Sequence, residues 1–199
     1  MEKTQLQRRA YECYLLCLPG RDAQDEAEID KRLRALVDQV PGLVGPLGDL
    51  DISEGQLVDG AVRLKPGQSL PSRRHYSGAV VIDVVARTDA RNIRVRGPRG
   101  SVVIFNWEQK AGEMYVAGPD GNDKPDSGSV IASKQCPLTP HVWYHIRWRL
   151  TERGMVVSVN DVVVLREVRK YDLTGREPIR VAAADSSIEV RSFSVKSLK

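Results

Sequence analysis

Acidic residues on predicted strands are the first place to look for chemistry in this sequence. Retaining glycoside hydrolysis needs two carboxyl groups about 5 to 5.5 Å apart, a spacing that alternate residues on one strand face supply. The strand acids nearest to this pattern are Asp83 in VVIDVVA and Glu108 in FNWE, each alone on its strand. No single strand therefore offers a catalytic pair, and a pair across neighbouring strands stays open.

Charged and amide side chains alternate along four predicted strands and form a candidate ligand surface. If their faces coincide, they build a charged concave surface with a tryptophan at its edge. Carbohydrate binding uses this combination, because polar groups hydrogen-bond hydroxyls and an aromatic ring covers the apolar side of a sugar. The alternative is a solvated sheet face with cross-strand ion pairs. The candidate residues are Asp83, Arg87, Arg94, Arg96, Asn106, Trp107, Glu108, Trp143, His145, Arg147 and Arg149.

Glu108 stands beside a predicted turn at Ala111 and Gly112, so we expect it at the rim of its sheet. The arginines of the strands near 92–96 and 142–151 are its natural counter-charges and would keep it ionised. An ionised carboxylate is a poor general acid and a good acceptor for ligand hydroxyls. Glu108 is therefore predicted to bind, and no residue is assigned a catalytic role.

The loop after residue 119 is a candidate calcium site, because it offers the oxygens of Asp120, Asn122, Asp123 and Asp126. It does not follow the EF-hand spacing, since Lys124 stands at its fifth position. An ordinary solvated turn is the favoured interpretation, with calcium as the alternative. The three histidines and three cysteines are too dispersed to predict another metal site.

Composition excludes several classes of protein. The formal net charge is +4, and the arginines between 87 and 99 have no aromatic residues interleaved, so nucleic-acid binding is not expected. No stretch resembles a signal peptide or approaches the roughly 20 apolar residues of a membrane span. The odd number of cysteines favours reduced thiols. We therefore expect a cytoplasmic protein.

Hydrophobic periodicity divides the chain into two parts. Residues 1–42 contain two amphipathic helical patterns joined by Pro19-Gly20 and predict an αα-hairpin. Residues 48–199 predict many short strands separated by Pro, Gly, Asn and Asp, which is typical of an antiparallel two-sheet jelly-roll sandwich. The expected strands lie near 49–53, 56–58, 61–65, 78–87, 92–96, 101–107, 113–117, 128–133, 142–151, 154–160, 162–168, 179–184 and 187–197.

The second helical pattern has an apolar stripe of Leu33, Leu36, Val37 and Val40. About forty residues cannot easily bury two apolar helix faces alone, so the hairpin must dock on the β domain or on another molecule. Both arrangements are open, and the second predicts association through this stripe.

Short motifs of the β region resemble a known family. FNWE is followed by a PDG loop, LTPHVWYHIRW, TERGMVVSVND and a closing DSSIEVRSFSVKSL. This order resembles concanavalin A-like lectin and glucanase jelly rolls, in particular bacterial domains of the 3-keto-disaccharide hydrolase-like kind. The hairpin turn Val159-Asn160-Asp161 lacks the glycine usual in that family.

The resemblance and the candidate surface together predict a non-catalytic, lectin-like binding module with a carbohydrate ligand, whose helical hairpin mediates association with itself or a protein partner. One alternative is a hydrolase acting on glycosides, of the 3-keto-glycoside hydrolase-like kind. Another is a structural assembly protein whose sheet face contacts another protein.

The stripe leads to a first testable expectation. Leu36→Asp places a charge in the apolar stripe, so the variant should lose an oligomer or a partner, or become insoluble. Size-exclusion chromatography with light scattering measures the change. A variant that is monodisperse, unchanged in mass and equally stable would contradict an interface here.

Overall fold

The computed structural model describes residues 47, 49–119 and 129–198, with scattered positions before residue 33. Apart from those positions, the predicted hairpin over 1–42 lies outside the described residues. So does its stripe of Leu33, Leu36, Val37 and Val40. The candidate calcium oxygens of Asp120, Asn122, Asp123 and Asp126 lie outside them as well.

Between residues 49 and 198 the described segments form strands joined by turns and loops. The strands are β1 (Gln56–Val58), β2 (Ala61–Leu64), β3 (Ser69–Tyr76), β4 (Val80–Thr88), β5 (Ile93–Arg96), β6 (Val102–Phe105), β7 (Glu113–Gly118), β8 (Ser129–Gln135), β9 (Tyr144–Thr151), β10 (Gly154–Val159), β11 (Val162–Glu167), β12 (Glu177–Ala182) and β13 (Ile188–Ser197).

These strands pair antiparallel in two sheets. The seven-stranded sheet has the order β1-β2-β13-β4-β9-β10-β11, and the six-stranded sheet has the order β3-β12-β5-β6-β7-β8. One face of each sheet packs against the other around a shared apolar core. The expected mainly β, antiparallel sandwich is confirmed for the described part of the chain.

Alternation along β9 and β10 determines which of their residues enter the core. Ile146, Trp148 and Val157 are fully buried, and Met155 and Val159 nearly so. Tyr144 is half-buried and packs against the same core. The turn that joins β10 to β11 uses Asn160 and Asp161 with φ of 49° and 64°, left-handed values that Asn and Asp tolerate in such turns.

Two local expectations were wrong. The segment near 49–53 is not a strand and makes only an isolated bridge, between Leu50 and Ser72, on the outer edge of β3. β3 itself was not expected, since Pro71 and three consecutive basic residues obscure its alternation. Pro71 fits because β3 is an edge strand, where a missing N–H costs no ladder bond.

Trp148 is the side chain that best tests this core. Its indole is fully buried, and it packs so closely on the turn after β5 that a Cβ at Gly97 would lie 2.8 Å from the Cη2 atom. Trp148→Ala should lower the free energy of unfolding by about 3 to 5 kcal/mol. Urea denaturation measures it, with the exposed neighbour Arg149→Ala as control. Equal losses in the two variants would contradict this core.

Candidate functional site

The structure separates the candidate residues into two groups, so the single charged surface expected from the sequence is wrong. Asp83, Arg87, His145, Arg147 and Arg149 project from the outer face of the seven-stranded sheet, on β4 and β9. The other group belongs to the six-stranded sheet: Arg94 and Arg96 lie on β5, and Asn106, Trp107 and Glu108 follow β6. Because the inner faces meet in the core, the two groups are on opposite sides of the sandwich.

Asp83 is the centre of the first group. Its Oδ1 atom accepts hydrogen bonds from His145 Nε2 at 3.0 Å and from Arg147 Nε at 2.7 Å. The register explains this, because Asp83 pairs with Arg147 and Val85 pairs with His145 across β4 and β9. His145 is buried, and Asn160 Oδ1 accepts from its backbone N–H. The side chains of Asp83, His145 and Arg147 therefore form one hydrogen-bonded network.

Trp143 is not at the edge of an open surface, as the sequence suggested, but is almost fully buried. Guanidinium groups cover its ring at 4.7 Å for Arg87 and 4.2 Å for Arg191. Arg87 also donates to Glu189, which accepts from Arg63 on the far side. Such cation–π stacking stabilises an arginine beside an aromatic ring but leaves no ring face for a sugar.

The charged side chains on the outer face of the seven-stranded sheet are therefore mainly bound to one another. Asp83 accepts hydrogen bonds from His145 and Arg147 of β9, and Glu189 accepts from Arg63 of β2 and Arg87 of β4. Arg149 lies further along β9, exposed, beside Val81 and Val156. This side fits the alternative interpretation, a sheet face with cross-strand ion pairs.

Part of the second group lies at a cavity at one end of the six-stranded sheet, the Glu108 cavity, whereas Arg96 lines a different cavity. The Glu108 cavity has a volume of about 360 Å³, and its lining includes Arg91, Asn106, Trp107, Glu108, Gly112 and Leu138.

 The cavity is formed where β5 begins, where β6 ends and where the loop after β8 returns. These loop positions put Glu108 at the rim of the sheet, as predicted.

Glu108 is held in the cavity wall by two donors. Asn92 Nδ2 donates to its Oε2 atom at 2.9 Å, and the Arg94 guanidinium donates to its Oε1 atom and forms an ion pair. Arg94 is one of the counter-charges that the sequence indicated, whereas Arg147 and Arg149 belong to the other sheet. Two donors fix the orientation of the carboxylate and keep it an acceptor.

Trp107 forms the aromatic part of the same wall. Its ring packs on Tyr115 with centroids 4.6 Å apart and planes tilted by 33°. Asn106 has a structural role instead, because its amide donates to Leu138 O at 2.7 Å and accepts from Leu138 N at 2.8 Å. Asn106 adopts a φ of 49°, so this pairing holds the loop in a left-handed turn that Asn tolerates.

Asn92 and Tyr115 were missed by sequence reasoning. Asn92 lies directly before β5 and is fully buried, and Tyr115 lies on the outer face of β7. Alternation from β7 predicts the face of Tyr115, but no local signal indicates that it meets Trp107. The Glu108 cavity thus combines a fixed carboxylate, a guanidinium and a supported indole ring.

Within the described ranges, no group of three or more His, Cys, Asp or Glu side chains is arranged to hold a metal ion. Among those same residues, no helix has the length and apolar character that crossing a membrane requires.

The Asp83 network predicts a dependence of stability on pH. Burial raises the pKa of Asp83, but hydrogen bonds from His145 and Arg147 outweigh it and hold that pKa below its ordinary value. Such a carboxyl stabilises the fold above its unfolded pKa of about 4, and the stabilisation is lost as pH falls through the folded pKa. Asp83→Asn should therefore destabilise the protein at about pH 7 and do so less below about pH 4.

Urea unfolding of the parent and of Asp83→Asn across this range measures the difference. Asp185→Asn is the control, because Asp185 is exposed and lies on the turn between β12 and β13, outside the network. A destabilisation by Asp83→Asn that stays constant with pH would contradict the assignment.

No family model matches this sequence, and no curated protein matches it. Solved structures do match. The carbohydrate recognition domain of Emp46p, in its potassium-bound form, is 16% identical with a TM-score of 0.56, covering 79% of this chain and 92% of that one. The exoplasmic/lumenal domain of VIP36, in its Ca²⁺/Man2-bound form, is 12% identical with a TM-score of 0.53, covering 73% and 79%.

A third match comes from endo-acting O-glycanases of the human gut microbiota that initiate mucin breakdown. It is 10% identical with a TM-score of 0.52, covering 74% of this chain and 83% of that one. At such identities the likeness shows the fold alone. The chain shares the two-sheet jelly-roll fold of these domains, in agreement with the fold that the resemblance of its sequence implies.

Proposed function

We propose that this chain is a non-catalytic, lectin-like module that binds a carbohydrate in the Glu108 cavity. The observation that carries the proposal is a carboxylate held by Arg94 and Asn92 beside the supported ring of Trp107. A sugar presents hydroxyl groups at its edge and C–H groups on its faces, and this wall has a partner for each.

Geometry supports a saccharide of small size. The cavity volume of about 360 Å³ falls in the range of small-molecule sites, about 300 to 1,000 Å³. A carboxylate has about four acceptor positions, and Arg94 and Asn92 occupy two of them. The remaining positions can accept from ligand hydroxyls, while the exposed Arg91 at the mouth can donate.

The same geometry argues against hydrolysis in this cavity. A retaining or inverting glycosidase needs a second carboxyl group across the scissile bond. Glu108 is the only carboxylate among the described residues that line the cavity. Both of its oxygens already accept from neighbouring side chains, which is an arrangement suited to holding an acceptor for a ligand in place. A hydrolase of the 3-keto-glycoside kind is the alternative function, and a turnover assay decides it.

The fold adds support for the ligand class. Emp46p matches through its carbohydrate recognition domain, and VIP36 matches in a Ca²⁺/Man2-bound form. From these two structures we take only the class of ligand, a carbohydrate. A calcium ion at Asp120, Asn122, Asp123 and Asp126, a cytoplasmic location and association through residues 1–42 are further proposals that rest on the sequence.

Glu108→Gln tests the binding site. The amide keeps one acceptor oxygen and loses the charge that pairs with Arg94, so affinity for a saccharide identified on a glycan array should fall by about tenfold without vanishing. Trp107→Ala should weaken the same ligand by removing the stacking surface. Isothermal titration calorimetry measures both affinities, and a glycoside panel measures turnover.

Glu189→Gln is the matched control, because Glu189 is also an arginine-paired carboxylate but lies on the opposite sheet. It should leave saccharide affinity unchanged. Equal losses in Glu108→Gln and Glu189→Gln would contradict the site. Turnover in the parent that disappears in Glu108→Gln at unchanged stability would establish the hydrolase instead.

A further inference from the structure

A second cavity lies at the other end of the hairpin formed by β5 and β6. Four arginines line it: Arg96, Arg99, Arg176 and Arg180. Its volume is about 410 Å³. The elements that form it are the turn between β5 and β6 and the start of β12 with the loop before it. We call it the arginine cavity.

The sheet register places two of these arginines directly against each other. Arg96 on β5 and Arg180 on β12 are cross-strand partners on the outer face of the six-stranded sheet. Like charges in this position destabilise a pair of strands. An anion bound between the two guanidinium groups would lessen that repulsion.

Arg99 is held in place by its surroundings. Its backbone N–H donates to Glu177 Oε1 at 3.2 Å, and its guanidinium lies 3.5 Å from Asp172 Oδ2. Its stem lies so close to Gly175 that a Cβ there would be 2.5 Å from Arg99 Cδ. The Nε atom is buried without a hydrogen-bond partner in the described part of the chain.

Arginines outnumber carboxylates among the described residues that line the arginine cavity. Four arginines and one carboxylate, Glu177, line it, and Asp172 adjoins it. The side chains of Arg176 and Arg180 make no hydrogen bond or ion pair with the residues that the structure describes. On the seven-stranded sheet, by contrast, Glu189 binds both Arg63 and Arg87.

We propose that the arginine cavity binds an oxyanion, a sulfate or phosphate group that is free or esterified to a small ligand. Guanidinium groups bind such oxygens in pairs through parallel N–H donors, and several arginines together suit a tetrahedral anion. The volume leaves room for an attached group. This inference is independent of the Glu108 cavity, because six residues of extended chain, about 20 Å, separate Arg91 from Gly97.

Thermal unfolding and calorimetry in dilute chloride buffer test the proposal with inorganic phosphate, inorganic sulfate, glucose 6-phosphate, glucose 6-sulfate and glucose. Both inorganic anions should bind saturably to the parent and raise its Tm, and glucose should do neither. Tighter binding of the esters identifies an esterified ligand, and equal or weaker binding identifies the free anion.

Arg180→Gln should weaken anion binding by about tenfold or more, because it removes a charged donor. Without anion, the variant should be at least as stable as the parent, since Arg96 loses its opposing charge. Arg176→Gln, before β12, gives a second variant that leaves the strand intact. Arg149→Gln is the matched control, because it removes the same charge from the opposite sheet.

Binding that does not saturate, or anion affinities that Arg180→Gln, Arg176→Gln and Arg149→Gln reduce equally, would overturn the proposal. Glu108→Gln should leave anion affinity unchanged. Failure of that variant to bind saccharide therefore bears on the Glu108 cavity alone.

Discussion

Burial of one face of each sheet against the other is the constraint on which the rest of this structure depends. Because side chains alternate between faces, every inward position is committed to the apolar core around Trp148. Polar chemistry is left with two outer faces and with the loops at the strand ends. The Glu108 cavity and the arginine cavity both occupy such ends, on the same hairpin of β5 and β6.

Charged side chains are arranged differently on the outer faces of the two sheets. On the seven-stranded sheet, Asp83 binds side chains of β9 and Glu189 binds Arg87, so these two carboxylates connect β4 to its neighbours on both sides. On the six-stranded sheet, Arg96 and Arg180 are cross-strand partners of like charge. Such a pair suits a protein that binds an anionic partner better than one in which all charges are paired internally.

Much of this fold follows from local pattern. The period of two in β9 and β10 predicts which of their residues are buried. The pair Asn160 and Asp161 predicts the tight turn that joins β10 to β11. The assembly of the site does not follow, because strand partners are distant in sequence: β12 pairs with β5, and β13 with β4. Alternation predicts which side of its strand a residue faces, but it does not predict to which sheet the strand belongs. For that reason Asp83 and Glu108 could be expected to share a surface.

The position of β12 and β13 has a consequence for synthesis. β13 lies between β2 and β4, and β12 lies between β3 and β5, so each completes a sheet from within. During synthesis, β12 and β13 leave the ribosome after all the other described strands. Until then β2, β3, β4 and β5 present unpaired backbone edges to the cell, which are templates for mispairing with other chains. Closure of the sandwich is therefore a late event. The chain needs protection of its strand edges most in the period before β12 and β13 are synthesised.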